Sequence, residues 1–352
     1  LVRFNLAVPA LAFLVAGGPL RAESTRTLEG ELSPSDTGAF SLLNLAGTMS
    51  VVPAPGSVVR VKATVHAESD ELAASVTLTK TTGKDGEPML HFQYPVDRID
   101  RFRYPARGQG QDNGVEYSGH KVKISGTDGA LVYADLVVEV PKGVKKGRLE
   151  TRAGAIDAER LDGDLRLDTG SGPIRLSQSR GDLVADTGSG DVTARGVQGT
   201  FRCDTGSGQC LVEDFEGERL ACDTGSGPVL VSRARARTLK VDTGSGRVKL
   251  VGIEAEEIGA DTGSGSVEVE AFGMKLRRVS ADTGSGAVRL ALPSDAGFDA
   301  RANLGNGDLR CDFQDAERIV KKREVVGCRR GDGHIAIKVD TGSGGLVIEP
   351  MK

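Results

Sequence analysis

The chain has 352 residues, with 45 Lys and Arg against 49 Asp and Glu and a formal net charge of −4. So even a balance argues against a nucleic-acid binder, which needs a basic face. Aromatic residues make up 4% with no Trp, while Gly counts 48, an excess over average usage that a repeated backbone feature must explain.

In chain order, Arg3 and the apolar run from Leu6 to Leu20, closing on Leu20-Arg21-Ala22, read as a secretory signal over residues 1–22. The run is too short for a membrane span. No later stretch approaches one, so the mature chain is expected to be exported to the periplasm, the cell surface or the medium.

Residues 23–150 read as a β-rich N-terminal cap region. Val58 to Val65, Val76 to Thr79, Met89 to Tyr94 and Leu131 to Val140 have strand character. Arg101 to Gly119, rich in Arg, Gly and Gln, reads as an exposed loop. Asp36-Thr-Gly-Ala-Phe, followed by Asn44-Leu-Ala-Gly47, reads as a degenerate first turn of the repeat that dominates the rest of the chain.

That repeat is Asp-Thr-Gly-Ser-Gly, which begins at Asp168, Asp186, Asp204, Asp223, Asp242, Asp261, Asp282 and Asp340, with a degenerate copy at Asn303 to Gly307. The first six copies lie 18 or 19 residues apart, and a fixed short period marks a stacked architecture. Asp-Thr-Gly-Ser is also the active-site string of aspartic proteases. Those enzymes need two carboxylates sharing one proton, and copies that recur every 18 or 19 residues leave no room for a lobe around each.

Aligned on the motif, each unit carries two alternating stretches. After the turn, inward positions hold Ile156, Ile174, Val192, Cys210, Val229 and Val248, then Ala158, Leu176, Ala194, Val212, Val231 and Leu250, with polar residues between. Before the turn, Leu165/Leu167, Leu183/Ala185, Phe201/Cys203, Leu220/Cys222, Leu239/Val241 and Ile258/Ala260 sit three and one positions ahead of Asp. A third inward position falls at Leu161, Val197, Phe215, Ile253 and Phe272. Period-two alternation gives strands with one buried face, and a single such unit cannot bury that face alone. The expected fold is all-β, a single-chain β-solenoid, parallel β-helix-like, of about ten coils of 18–21 residues stacked about 4.8 Å apart. The repeats occupy 151–352, with an insertion within 307–339.

At the turn, Gly170, Gly172 and their equivalents are expected to supply positive φ. The eight Asp residues are expected to form a structural turn column, accepting backbone N–H groups as in Asx-turns, with Thr and Ser hydroxyls bonding along the stack. Stacked carboxylates about 5 Å apart repel by about 3 kcal/mol at an effective dielectric near 20, and by under about 1 kcal/mol in water. The column therefore needs solvation, amide bonds or cations. The five cysteines all follow residue 200. Cys203 and Cys222, at one position of adjacent coils, and Cys311 and Cys328, flanking the insertion, are candidate disulfide pairs in an exported protein. No spacing matches a zinc site, and no cofactor is expected.

Asn44-Leu-Ala-Gly-Thr-Met-Ser-Val51, Leu136-Val-Val-Glu-Val-Pro-Lys-Gly143, the serial Thr-Gly-Ser-Gly-x-Val coils and the closing Gly331-Asp-Gly-His-Ile-Ala-Ile stretch resemble the putative-adhesin, β-strand-repeat family of exported bacterial proteins, a domain of unknown function. That resemblance implies a β-helix-like domain at the cell envelope with no established catalytic residues. The reading it joins is a non-catalytic scaffold or adhesin-like binding protein for an envelope or extracellular polymer or protein. Two alternatives stand beside it: a polysaccharide-active β-helix enzyme, and a calcium-binding solenoid using the Asp column. An ice-binding face of stacked Thr is a further, narrower possibility.

Overall fold

The computed structural model describes residues 23–107, 113–273, 275–322 and 324–351. The secretory-signal expectation, on 1–22, lies outside them. The described chain is a β-solenoid. Each coil consists of a strand that runs into the Asp-Thr-Gly-Ser-Gly turn and a shorter strand that leaves it.

The incoming strands Lys146–Ala153, Asp164–Thr169, Arg180–Thr187, Gln198–Thr205 and Glu216–Thr224 pair in parallel, each with the next. The outgoing strands Ile156–Glu159, Ile174–Ser177, Val192–Arg195 and Cys210–Glu213 do the same. In Val229–Thr243 and Val248–Thr262 an outgoing strand runs on into the next incoming one. Register is strict across the turns: Asp168 lies opposite Asp186, Asp186 opposite Asp204, and so on to Asp282 opposite Asp340.

Slipping one residue would turn every Leu and Val of a coil outward, so burial pins this register. The inward residues of both strands are buried from Ile156 to Leu292 and again from Ile335 to Ile348, and together they form one continuous apolar column, against which the half-buried Leu309 and Cys311 of the terminal coil pack. At the third inward position, Leu161, Val197, Phe215 and Ile253 are buried as expected. Phe272 is not: it is 36% exposed, and Ala271 lies opposite Ile253 instead. Ile253 lies three positions after Leu250, but its partner Ala271 lies only two after Val269. A fixed offset therefore overshoots by one at this corner.

Both ends depart from simple stacking. At the N-terminal end, Ala39–Ala46 pairs with Lys146–Ala153, and Met49–Ala54 pairs with Ile156–Glu159. One coil is thus built from residues 39–54, and its neighbour in space lies some ninety residues on. The intervening chain covers it. Ala130–Pro141 pairs with Met49–Ala54, Val59–Ala67 runs antiparallel to it, and Ser24–Leu32 forms the outer edge. On the other sheet, Pro88–Gln93 and Thr77–Thr82 extend the stack.

The stretch Arg101 to Gly119, expected as an exposed loop, instead contains the strands Arg101–Arg103 and Asn113–Tyr117, both paired with His120–Ser125. Phe102, Tyr104 and Tyr117 anchor it in the core. Its charged and Gly residues obscured this alternation.

At the C-terminal end the order of coils in space differs from that in the chain. Ile335–Thr341 lies between Arg278–Thr283 and Phe298–Asn303, and Leu346–Pro350 lies between Val288–Leu292 and Leu309–Cys311. The last coil of the chain is therefore inserted beneath the one that precedes it. The hairpin of Glu317–Lys321 and Glu324–Arg330 folds antiparallel onto Phe298–Asn303. No helix among the described residues is long and apolar enough to cross a membrane.

Candidate functional site: the aspartate ladder

Along each incoming strand, inward and outward positions alternate, so the apolar residue before the motif points in, Asp out and Thr in. Every motif Thr is at most 5% exposed. Thr243 shows the geometry: its Oγ1 donates to the Gly227 carbonyl of the preceding coil at 3.1 Å and accepts the Gly246 N–H of its own turn at 3.0 Å. Thr187, Thr205, Thr224, Thr262 and Thr283 repeat both bonds at 2.9–3.1 Å. The hydroxyl expectation thus holds for Thr, whose burial also removes any stacked-Thr ice face. The Asx-turn expectation does not hold: among the described residues no motif Asp accepts a backbone amide. Thr occupies the inside of the corner and takes the turn N–H first.

The second Gly of the motif is required by proximity. A Cβ on Gly246 would stand 1.9 Å from the Gly227 oxygen, and one on Gly208 1.9 Å from that of Gly190. Positive φ contributes at Gly172 (140°) but not at Gly190, Gly208, Gly227 or Gly246. Two further turns, absent from the motif count, join this column. Glu150-Thr151-Arg-Ala-Gly154 is a degenerate copy that keeps the Thr and the last Gly, and it lies in register with Asp168 to Gly172. Asn44, not Thr37, is the N-terminal member, lying opposite Thr151. Its buried side chain donates to the Ala46 and Ala134 carbonyls at 3.0 and 2.9 Å and accepts the Tyr94 hydroxyl at 2.9 Å.

Outward from the same sheet, the Asp carboxylates form a ladder beside a second column two residues earlier. That column reads Arg148, Arg166, Val184, Arg202, Ala221, Lys240, Gly259, Ser280 and Lys338 in stacking order. Its composition divides the ladder. Arg166 bridges Asp186 at 2.6 Å and Asp168 at 3.6 Å, Arg202 holds Asp204 at 3.0 Å, and Lys338 holds Asp340 at 2.9 Å. Between them, Asp223, Asp242, Asp261 and Asp282 make no ion pair among the described residues, and the small Ala221, Gly259 and Ser280 leave an open groove of about 410 Å³ beside them.

Raised carboxyls occur in both parts of the ladder. Burial, then Asp204 and Asp242, raise the Asp223 carboxyl above the usual range. Burial, then Asp242 and Asp282, raise Asp261, and burial, then Asp186 and Glu150, raise Asp168 despite Arg166. Lys338 lowers Asp340. The outgoing sheet contrasts with this. Its charges cancel between coils, as in Arg175–Asp157 at 3.0 Å, Arg195–Glu213 at 2.5 Å and Lys249–Glu268 at 3.6 Å.

All five cysteines are free thiols in the structure, so neither the Cys203–Cys222 nor the Cys311–Cys328 cross-link is formed there. Cys203 and Cys222 lie in register on adjacent coils with side chains directed the same way into the core. Cys210, unassigned in the sequence reading, joins them in a buried three-thiol cluster. Burial pushes the Cys203 and Cys210 thiols well up.

Fold and turn together define a parallel β-solenoid with an acidic outer ladder. Residues 135–349 match the Toastrack DUF4097 family, and the chain belongs to that family. Among solved structures, a putative adhesin from Parabacteroides merdae is similar over 93% of this chain and 97% of its own, at 10% identity and a TM-score of 0.42. A putative lipid binding protein from Parabacteroides distasonis matches with the same coverage at 11% identity and a TM-score of 0.42. A putative adhesin from Bacteroides fragilis, again with that coverage, has 8% identity and a TM-score of 0.37. No curated protein matches the chain.

Proposed function

We propose that this protein is a non-catalytic scaffold of the exported envelope, adhesin-like in use, in which the cap region 23–150 closes the stack and the repeats 151–352 present a rigid binding edge. The edge is the aspartate ladder. The single observation that carries this reading is the run Asp223, Asp242, Asp261 and Asp282, one carboxylate per coil with no ion pair among the described residues, beside an open groove that only Arg202 and Lys240 line with positive charge. A fold stabilised only from within gains nothing from four repelling charges, whereas an extended partner with periodic positive charge would relieve them. Among the described residues, no three His, Cys, Asp or Glu side chains are grouped so as to hold a metal ion. That favours an elongated polymer or protein segment over a point cation.

The test is a pull-down and calorimetric titration of the mature chain against envelope polymers and cationic peptides, with and without calcium. Changing the four Asp residues to Asn should weaken capture at least about tenfold and flatten its salt dependence. Equal capture by the wild type and the fourfold variant would overturn the assignment. The calcium reading retains one observation in its favour, the raised carboxyls of Asp223 and Asp261. A calcium-dependent rise in melting temperature that disappears in the fourfold variant would replace the polymer reading with it.

A further inference from the structure

The C-terminal end of the stack holds a pair of cysteines unlike the buried cluster. Cys311 ends the short strand Leu309–Cys311 on the terminal coil and is partly exposed. Cys328 lies on the hairpin strand Glu324–Arg330, opposite Ala300, and is fully buried. The strand Leu309–Cys311 packs against the hairpin strand Glu324–Arg330, so the two thiols are neighbours across the seam between hairpin and coil.

The seam is held in place independently of sulfur. Phe313 packs edge-on against Phe298, with ring centroids 5.2 Å apart, and the Arg330 guanidinium lies 5.1 Å over the Phe313 ring. Arg330 also binds Asp315 at 2.6 Å and donates to the Ala296 carbonyl at 2.7 Å. The neighbouring Cys328 thiol, with help from the Phe313 backbone and Arg318, lowers the Cys311 thiol to about 7, while Cys328 is driven up. One accessible, ionisable thiol beside one buried thiol is the arrangement of an attacking and a resolving cysteine.

We propose that Cys311 and Cys328 are a redox-active dithiol that locks the hairpin to the terminal coil through reversible thiol–disulfide exchange. The Cys311 thiolate, its proton released to water, attacks one sulfur of an incoming disulfide. An S–S bond forms to Cys311, and the first thiol leaves and takes up a proton. The Cys328 sulfur, losing its proton, then attacks Cys311 Sγ, forms the internal bond and releases the second thiol. Two cysteine thiols are oxidised by two electrons, and the incoming disulfide is reduced to two thiols. This lock is independent of the ladder's function.

The experiment uses the folded full chain, fully reduced and then titrated with oxidised glutathione, alkylated and mapped by mass spectrometry. The expected result is loss of two of the five alkylatable thiols, a single cross-linked Cys311–Cys328 peptide and no retained glutathione. After trypsin cleavage at Lys321 or Lys322, the halves of the oxidised protein should stay joined under denaturing, non-reducing conditions and part on reduction. Cys328→Ser, and separately Cys328→Ala, should trap glutathione on Cys311. A cross-link within Cys203, Cys210 and Cys222 instead, or both Cys311 and Cys328 still alkylatable at saturating oxidant, would overturn the proposal.

Discussion

Replacing Thr243 by Val keeps the shape of the side chain and removes only its hydroxyl. That hydroxyl satisfies two main-chain groups at the stacked corner, accepting Gly246 N–H at 3.0 Å and donating to the Gly227 carbonyl at 3.1 Å. The site is 1% exposed, so water cannot replace either bond. Each stranded buried group costs about 1–3 kcal/mol, and the added methyl recovers part of that, so the net loss should be about 2–4 kcal/mol.

The neighbouring Asp242→Asn change is the control. It removes a charge flanked by Asp223 and Asp261 and breaks no recorded bond, so it should be neutral or stabilising by up to about 1 kcal/mol. Denaturant unfolding gives both values, and amide exchange at Gly246 reports the corner itself. If Thr243→Val left stability and Gly246 protection unchanged while Asp242→Asn destabilised, the assignment of the turn to Thr would fail.

Val248, buried in the continuous column, should lose several kcal/mol when changed to Asp. The outward Lys249→Asp, which forfeits only an exposed pair with Glu268, should lose under about 1 kcal/mol by the same denaturant assay. Gly246→Ala should disrupt stacking, because its Cβ would meet the Gly227 oxygen at 1.9 Å. Gly252→Ala, at φ 66° with no close contact, should cost about 1 kcal/mol, and melting curves of the two variants separate proximity from backbone strain. Asp223 and Asp261 have raised carboxyls, so ionising them opposes folding. A double Asn variant should therefore be more stable than the wild type at neutral pH. The gap should close as pH falls through the raised carboxylate range, where the wild type takes up its protons. A gap in melting temperature that instead widens on acidification would refute that sign.

Much of the coil was legible because burial imposes period two within a strand and a fixed interval between strands. Every inward residue from Ile156 to Leu250 follows from counting. The same parity, carried one step past Leu167, puts Thr169 inside and Asp168 outside. Both are polar, so hydropathy alone could not distinguish which of them served the turn. Columns defined by a constant offset fail where a corner changes length, as at Phe272. They also fail where the motif is replaced by chemistry of another kind, as where buried Asn44 serves in place of Thr. The basic residues at Arg166, Arg202 and Lys338 were equally countable from Asp, but their importance lies in the coils that lack them. No period could show the order of coils at the ends, since pairing across long intervals leaves no local trace in sequence.

The inserted last coil has a consequence for how the molecule is made. Repeat proteins can grow by adding each unit to the one before it, and residues 146–292 permit that. At the far end the rule is suspended. Among the described residues Phe298–Asn303 pairs only with strands that come later in the chain, Glu324–Arg330 and Ile335–Thr341, so the earlier segment must wait for the later ones. Synthesis delivers the chain from its N-terminus, so growth pauses here with an open, apolar sheet edge until Ile335–Thr341 and Leu346–Pro350 arrive. Completion of this solenoid is therefore a single closing event, and its slowest step should be the threading of Ile335–Pro350 rather than the growth of the regular stack.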